Sequence, residues 1–163
     1  MRRLALVLPA VLLLVAVLGP TAEAGGGSTP VSGTWTWTNT GATVMPLAGD
    51  GEVHNGTETS AWTGGFVGRS SDMYQLIQTS PSTGPYGPSY GTQTNLFTGK
   101  VEGHRGTMVM YLTFWSPAGD TRNYTGTWLI LSGTGDLTGL SGSGTWEGVA
   151  VGATYTGTIN WTR

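Results

Sequence analysis

The chain has 163 residues and a formal net charge of −2, with 7 basic side chains against 9 acidic ones, 28 glycines and no cysteine. So few basic residues argue against nucleic acid and anionic membrane surfaces as partners, because both demand clustered Lys and Arg. The missing cysteines exclude disulfides and a lipid-modified cysteine anchor, leaving packing and hydrogen bonding to hold any fold together.

The first residues read as an export signal. Arg2 and Arg3 form a basic start, Leu4 to Leu18 an apolar stretch, and Ala22-Glu23-Ala24 a small-residue cleavage pattern. The apolar stretch is short for a helical span of about 20 residues, and Pro20 follows it at once. Residues 1–24 are therefore expected to be a cleaved signal peptide of a secreted or extracytoplasmic protein, with no membrane partner after cleavage. Residues 25–31 follow as a flexible segment and residues 32–163 as a single domain.

From there the chain reads as strands. Ser32 to Thr38 is the first, and Glu52 to Thr57 is a weaker second after a turn-rich loop. Ser60 to Arg69 and Met73 to Thr79 are expected to form a hairpin across Gly68 to Asp72. Ser80 to Ser89 contains Pro81, Pro85 and Pro88, cannot donate a regular ladder, and reads as a long loop of the kind that often carries function. Tyr90 to Glu102 and Arg105 to Ser116 make the next hairpin, around Gly103-His104. Within it Met108, Met110, Leu112 and Phe114 share one face, while Thr107, Val109, Tyr111, Thr113 and Trp115 share the other. Arg122 to Ser132, Gly142 to Val151 and Thr154 to Thr162 bring the count to about eight strands joined mostly by short turns. No stretch supports a long amphipathic helix.

A repeated phrase marks these strands. Gly33-Thr34-Trp35, Gly126-Thr127-Trp128 and Gly144-Thr145-Trp146 place an aromatic residue beside Gly-Thr, and Tyr124-Thr125-Gly126 resembles Tyr155-Thr156-Gly157. Side chains two apart on a strand share a face, so Trp62 is expected to cover Gly64, Phe97 Gly99, Tyr124 Gly126, Trp146 Gly148 and Tyr155 Gly157. Glycine lets a strand coil sharply and an aromatic ring restores packing over the gap, which is how a sheet is curled until it closes. The expected fold is all-β, an eight-stranded antiparallel β-barrel.

The stretch from Leu131 to Gly148 carries a family likeness. Gly133-Thr134-Gly135-Asp136-Leu137-Thr138-Gly139-Leu140, then Gly142-Ser143-Gly144-Thr145-Trp146 and Tyr155-Thr156-Gly157, resemble a glycine-rich hairpin and closing strand found in a bacterial family of unknown function. That family (domain of unknown function 3224-like) is assigned to the allene oxide cyclase-like barrels and is distantly dirigent-like. The resemblance implies that barrel fold, a cavity at its mouth, and association into homo-oligomers. Ser32-Gly33-Thr34-Trp35-Thr36-Trp37-Thr38-Asn39 is also similar to the first strand of avidin-like biotin binders, although the later aromatic-lysine strand of that family is missing.

Chemistry leaves few marks. His54 and His104 are the only histidines, so a tetrahedral metal site would have to draft carboxylates, and neither a metal nor another cofactor is expected. Gly142-Ser143-Gly144 lacks the partners of a nucleophile elbow, and no Lys follows the glycine run as a phosphate cradle requires. The sequence therefore favours a non-catalytic barrel that binds a small apolar or aromatic molecule. A metal-free isomerase or cyclase of the allene oxide cyclase type and a filled structural barrel are the alternatives. The candidate ligand-binding residues are Glu58, Trp62, Tyr74, Tyr111 and Trp128. For Glu58 the competing reading is a solvated outward carboxylate, and for the aromatics it is plain filling of the interior. Asn55, Asn123 and Asn160 begin glycosylation sequons that matter only in a eukaryotic secretory pathway.

Overall fold

The computed structural model describes residues 27–49, 51–79, 87–117, 123–149 and 151–162. The expected signal peptide, and the proline loop apart from its last residues, lie outside these residues. Eight strands follow in order: β1 (Thr29–Pro46), β2 (Glu52–Gly64), β3 (Phe66–Gln78), β4 (Ser89–Val101), β5 (His104–Ser116), β6 (Asn123–Gly135), β7 (Leu140–Val149) and β8 (Gly152–Trp161). Each pairs antiparallel with the next, and β8 returns to β1 with Tyr155 opposite Gly33. The sheet thus closes into a ring in which every strand has a partner on both sides, β1 pairing with β8 over Thr29 to Thr36.

Alternation with a period of two decides which side chains go inside. On β5, Met108, Met110, Leu112 and Phe114 are buried while Tyr111 and Trp115 stand on the outer face. Threonine covers much of that outer face, where its branched side chain suits a strand. Thr34 and Thr63 bridge β1 and β2 through their hydroxyls at 2.8 Å, and Thr113 and Thr127 bridge β5 and β6 at 2.7 Å.

The two ends of the ring differ. One end carries the tight connections at Gly65, Glu102-Gly103 and residues 136–139; the other carries the connections around 47–51, 79–88, 117–122 and 150–151. Glu102 (φ 47°) and Gly103 (φ 87°) both take positive φ, the mirror-image two-residue turn that matches strand twist. At this end the interior is filled. Phe66, Phe97, Val101, Leu137 and Ile159 are wholly buried, with Leu137 folding inward from the β6–β7 turn. The Phe66 ring stacks on Tyr155 at 4.9 Å, and the Tyr155 hydroxyl accepts from the Phe66 amide at 2.8 Å while donating to the Thr63 carbonyl at 3.0 Å.

Three expectations need correction. Gly68 to Asp72 is not a turn: β3 runs straight through it, and the chain reverses at Gly64-Gly65, where Gly64 takes φ 92° and nests against the Ser32 carbonyl. β1 begins at Thr29 and reaches Pro46, longer at both ends than expected, with an irregularity between Asn39 and Gly41. Glycine gaps are also covered mostly from the neighbouring strand. Trp146 lies over Gly126, Trp128 over Gly144 and Gly157, Tyr155 over Gly33, and Phe114 over Gly91; only Phe97 over Gly99 follows the spacing of two. The reason is distance: a cross-strand neighbour stands about 5 Å away, whereas the next residue on the same face is almost 7 Å away.

Candidate functional site

Toward the end where β1 finishes and β2 begins the ring is hollow. A cavity of about 530 Å³ opens there, walled by Trp35, Trp37, Phe114, Tyr124 and Trp146, with Asn39, His54, Glu58, Tyr74, Ser89 and Gln93 supplying polar atoms. A broader depression of about 840 Å³ runs over the outer face across Thr92, Thr113, Thr127 and Thr145. It is an open surface where Glu147 is the one charged side chain, so the interior cavity is the better candidate.

Strand register brings the polar groups together. Glu58 on β2 sits opposite Asn39 on β1 and Asp72 on β3, and Asp72 in turn sits opposite Asn95 on β4. Tyr74 is one inward position further along β3 than Asp72, toward the mouth. Its ring lies over Gly56, where an added Cβ would come within 2.3 Å of it, and its hydroxyl accepts from Asn39 Nδ2 at 2.9 Å. Gly56 therefore sets the pose of Tyr74 by leaving room for it.

Below this level lies a buried polar layer. Asp72 is 2 % exposed and accepts from the Ser60 hydroxyl, while the Trp62 indole N–H donates to Ser70 at 2.8 Å. Asp72 Oδ1 and both amide atoms of the fully buried Asn95 find no partner among the described residues. Burying such groups costs about 1–3 kcal/mol each when they stay unpaired, so this layer is an expensive feature that core packing alone does not explain.

Electrostatics follow from the same placement. Burial, reinforced by the adjacent Asp72 carboxylate, pushes Glu58 up to about 7. Asp72 is also raised by burial, against the opposing pull of hydrogen bonds from Ser60 and Ser70. Burial raises Tyr74 too, partly offset by its bond from Asn39. The site thus holds a carboxyl group able to gain or lose a proton near neutrality, beside a protonated phenol and inside aromatic walls. His54 is drawn to Glu52 at 2.9 Å, and no three His, Cys, Asp or Glu residues converge as metal ligands among the described residues.

The five candidate residues separate cleanly. Glu58 and Tyr74 line the cavity together, both pointing inward. Trp62 and Trp128 are buried below it as core, Trp128 donating from its indole to the Thr156 carbonyl at 3.1 Å. Tyr111 stands outside the ring, because β5 turns its methionine face inward; its candidacy for the cavity is corrected accordingly. Sequence reasoning missed Trp37, Asn39, Gln93, Phe114 and Tyr124 as wall residues and Asp72 as the neighbour of Glu58. Asp72 was hidden by its assignment to a turn. Trp37 carried a usable signal, since it shares a face with Trp35.

Comparison with known proteins gives the chain its relatives. A family described as "Protein of unknown function (DUF3224)" matches residues 31–156. Among solved structures, a DUF3224-family protein of unknown function from Shewanella oneidensis MR-1 is similar with a TM-score of 0.66 and 17% identity. The alignment covers 84% of this chain and 99% of that one. At that identity the likeness concerns the fold. No curated protein matches the sequence. The site just described is therefore built on a shared scaffold, and the chain belongs to the DUF3224 family.

Proposed function

We propose that the protein is an exported, ligand-binding barrel of the allene oxide cyclase-like type that holds one small, largely apolar or aromatic molecule in the cavity beside Glu58 and Tyr74. One observation carries the reading: the same ring is packed solid at one end and left hollow, aromatic-walled and polar at a few convergent points at the other. Pockets for small molecules have this composition, and structural barrels have no need of it. The export signal expected from Arg2, Arg3 and the Leu4 to Leu18 stretch is the support for an extracytoplasmic setting, and the avidin-like likeness of the first strand gains nothing from the family match.

Native mass spectrometry of protein purified from its own host is the direct test. A retained small molecule, released on unfolding and lost in a variant that fills the cavity such as Gln93→Trp, is the expected result. Protein that carries no molecule, and that no compound in a broad apolar and aromatic panel stabilises, would overturn the proposal.

A second reading has its own observation. A carboxyl group at about 7 within an apolar room is suited to moving a proton to and from a bound carbon acid, as a metal-free isomerase requires. Turnover of an enolisable or epoxide substrate that is abolished in Glu58→Gln, with binding retained, distinguishes it from simple binding.

A further inference from the structure

The cavity's charge is one-sided. Glu58 in the cavity wall and Asp72 buried beneath it are neighbours across β2 and β3, and among the described residues no Lys or Arg lines the cavity. His54, the one basic side chain in the wall, is already engaged by Glu52. Neither Glu58 nor Asp72 has an ion-pair partner among the described residues. Apart from Asp72, the inward neighbours of Glu58 on the flanking strands are polar or aromatic: Asn39 and Trp37 on β1, Tyr74 on β3.

The walls have a matching property. Trp35 lies 6.2 Å from Trp37 and 5.1 Å from Trp146, and Phe114 meets Tyr124 edge-on at 6.0 Å, giving two aromatic groups that border the same space. Aromatic faces attract cations through the negative charge above the ring plane, most strongly where water is excluded. A carboxylate with no basic partner among the described residues, set among such faces, leaves room for a positive charge that a ligand can supply. An anionic ligand would meet repulsion from the same groups, and a neutral one would leave Glu58 to be desolvated or protonated.

Resting on the ligand-binding reading above, we infer that the cavity selects a small organic cation, an amine or quaternary ammonium with an aromatic or apolar body, using Glu58 as its counter-charge and Trp35, Trp37, Tyr74, Phe114 and Tyr124 as its cage. Its volume of about 530 Å³ accommodates a ligand of this size. The cation pairs with the ionised carboxylate and competes with a proton for it, so affinity grows as pH rises and the carboxyl ionises. The other titratable groups lining this space are Tyr74 on β3, His54 on β2 and Tyr124 on β6, with Asp72 buried beneath it opposite Glu58. Asp72 acts in the same direction as Glu58. His54 is held by Glu52 at 2.9 Å.

Calorimetry with a matched pair of probes tests this on the intact protein. Benzyltrimethylammonium and neopentylbenzene have the same shape and differ in charge. The expected result at pH 8 is a preference of about tenfold or more for the cation, falling toward parity at pH 5.5 and in Glu58→Gln, and unchanged in the outer-face control Glu147→Gln. Equal affinity of wild-type protein for both probes at pH 8 overturns the cation inference and leaves the ligand-binding proposal standing. Failure of folded wild-type protein to bind either probe overturns the inference, and failure across the broad panel as well overturns both. The wild-type comparison does not depend on any variant folding.

Discussion

The two halves of the ring solve opposite problems with the same alternating strands. In the filled half, each inward position has a partner: Phe66 has Tyr155 and Phe97, Trp128 has the bare backbones of Gly144 and Gly157, and the Tyr155 hydroxyl satisfies two backbone groups at once. In the hollow half, buried aromatic walls face half-buried polar positions such as Glu58 and Tyr74, and polar atoms beneath them find no partner among the described residues. The difference teaches that the glycine-aromatic pattern serves packing and the exceptions to it mark the site. Asp72, Asn95 and Glu58 occupy inward positions where a folding argument alone would place apolar side chains.

That contrast can be broken most forcefully in the filled half. Gly144→Val would drive a side chain into the Thr156 carbonyl and the Trp128 ring, both already in contact with the space a Cβ would take, and is expected to yield little folded protein by circular dichroism. Phe66→Ala removes a wholly buried ring and should lower stability by about 3–5 kcal/mol in denaturant unfolding. Tyr155→Phe keeps the ring but strands the Phe66 amide, for about 1–3 kcal/mol by the same measurement.

The hollow half sharpens the comparison through pH. Glu58 is raised when folded, so its contribution is fully present below its unfolded value of 4.5 and is lost as pH rises through about 7. Thermal stability should therefore decline between those values, and Asp72, also raised, pushes in the same direction. Glu58→Gln should remove about 1–2 kcal/mol of that decline, allowing for partial exposure to solvent; a pH profile unchanged by the substitution would contradict the placement of this group. Smallest of all is the outer face: Tyr111→Ala should alter stability by no more than about 0.5 kcal/mol and leave ligand binding untouched.

Much of the ring was legible because β-structure announces itself locally. The four-residue apolar set of β5 is visible in the sequence and stands where expected, and the tight turn expected at Gly103-His104 falls one residue earlier, at Glu102-Gly103. The site was only half legible. Tyr111 and Tyr74 lie on strands with similar alternation, yet one faces out and the other in, because register is fixed by pairing across the ring and a shift of one residue inverts every side chain. Ser70 and Asp72 look like turn residues by composition; what places them inside is the hairpin at Gly64-Gly65, whose position depends on Gly64 nesting against β1. Glu58 next to Asp72 is a contact between strands, and no local spacing encodes it.

The return of β8 to β1 also dictates the order in which the molecule can be assembled. Tyr155 bonds to residues 89 and 92 positions earlier in the chain, so the packed end lacks its central ring until the last strand arrives. Before then, β1 and β7 are open edges and Phe66 has no stacking partner from β8. Such long-range closure is slow, on the order of milliseconds to seconds, and it makes completion an all-or-none event. A nascent chain thus has no finished core until β8 is free to close the ring.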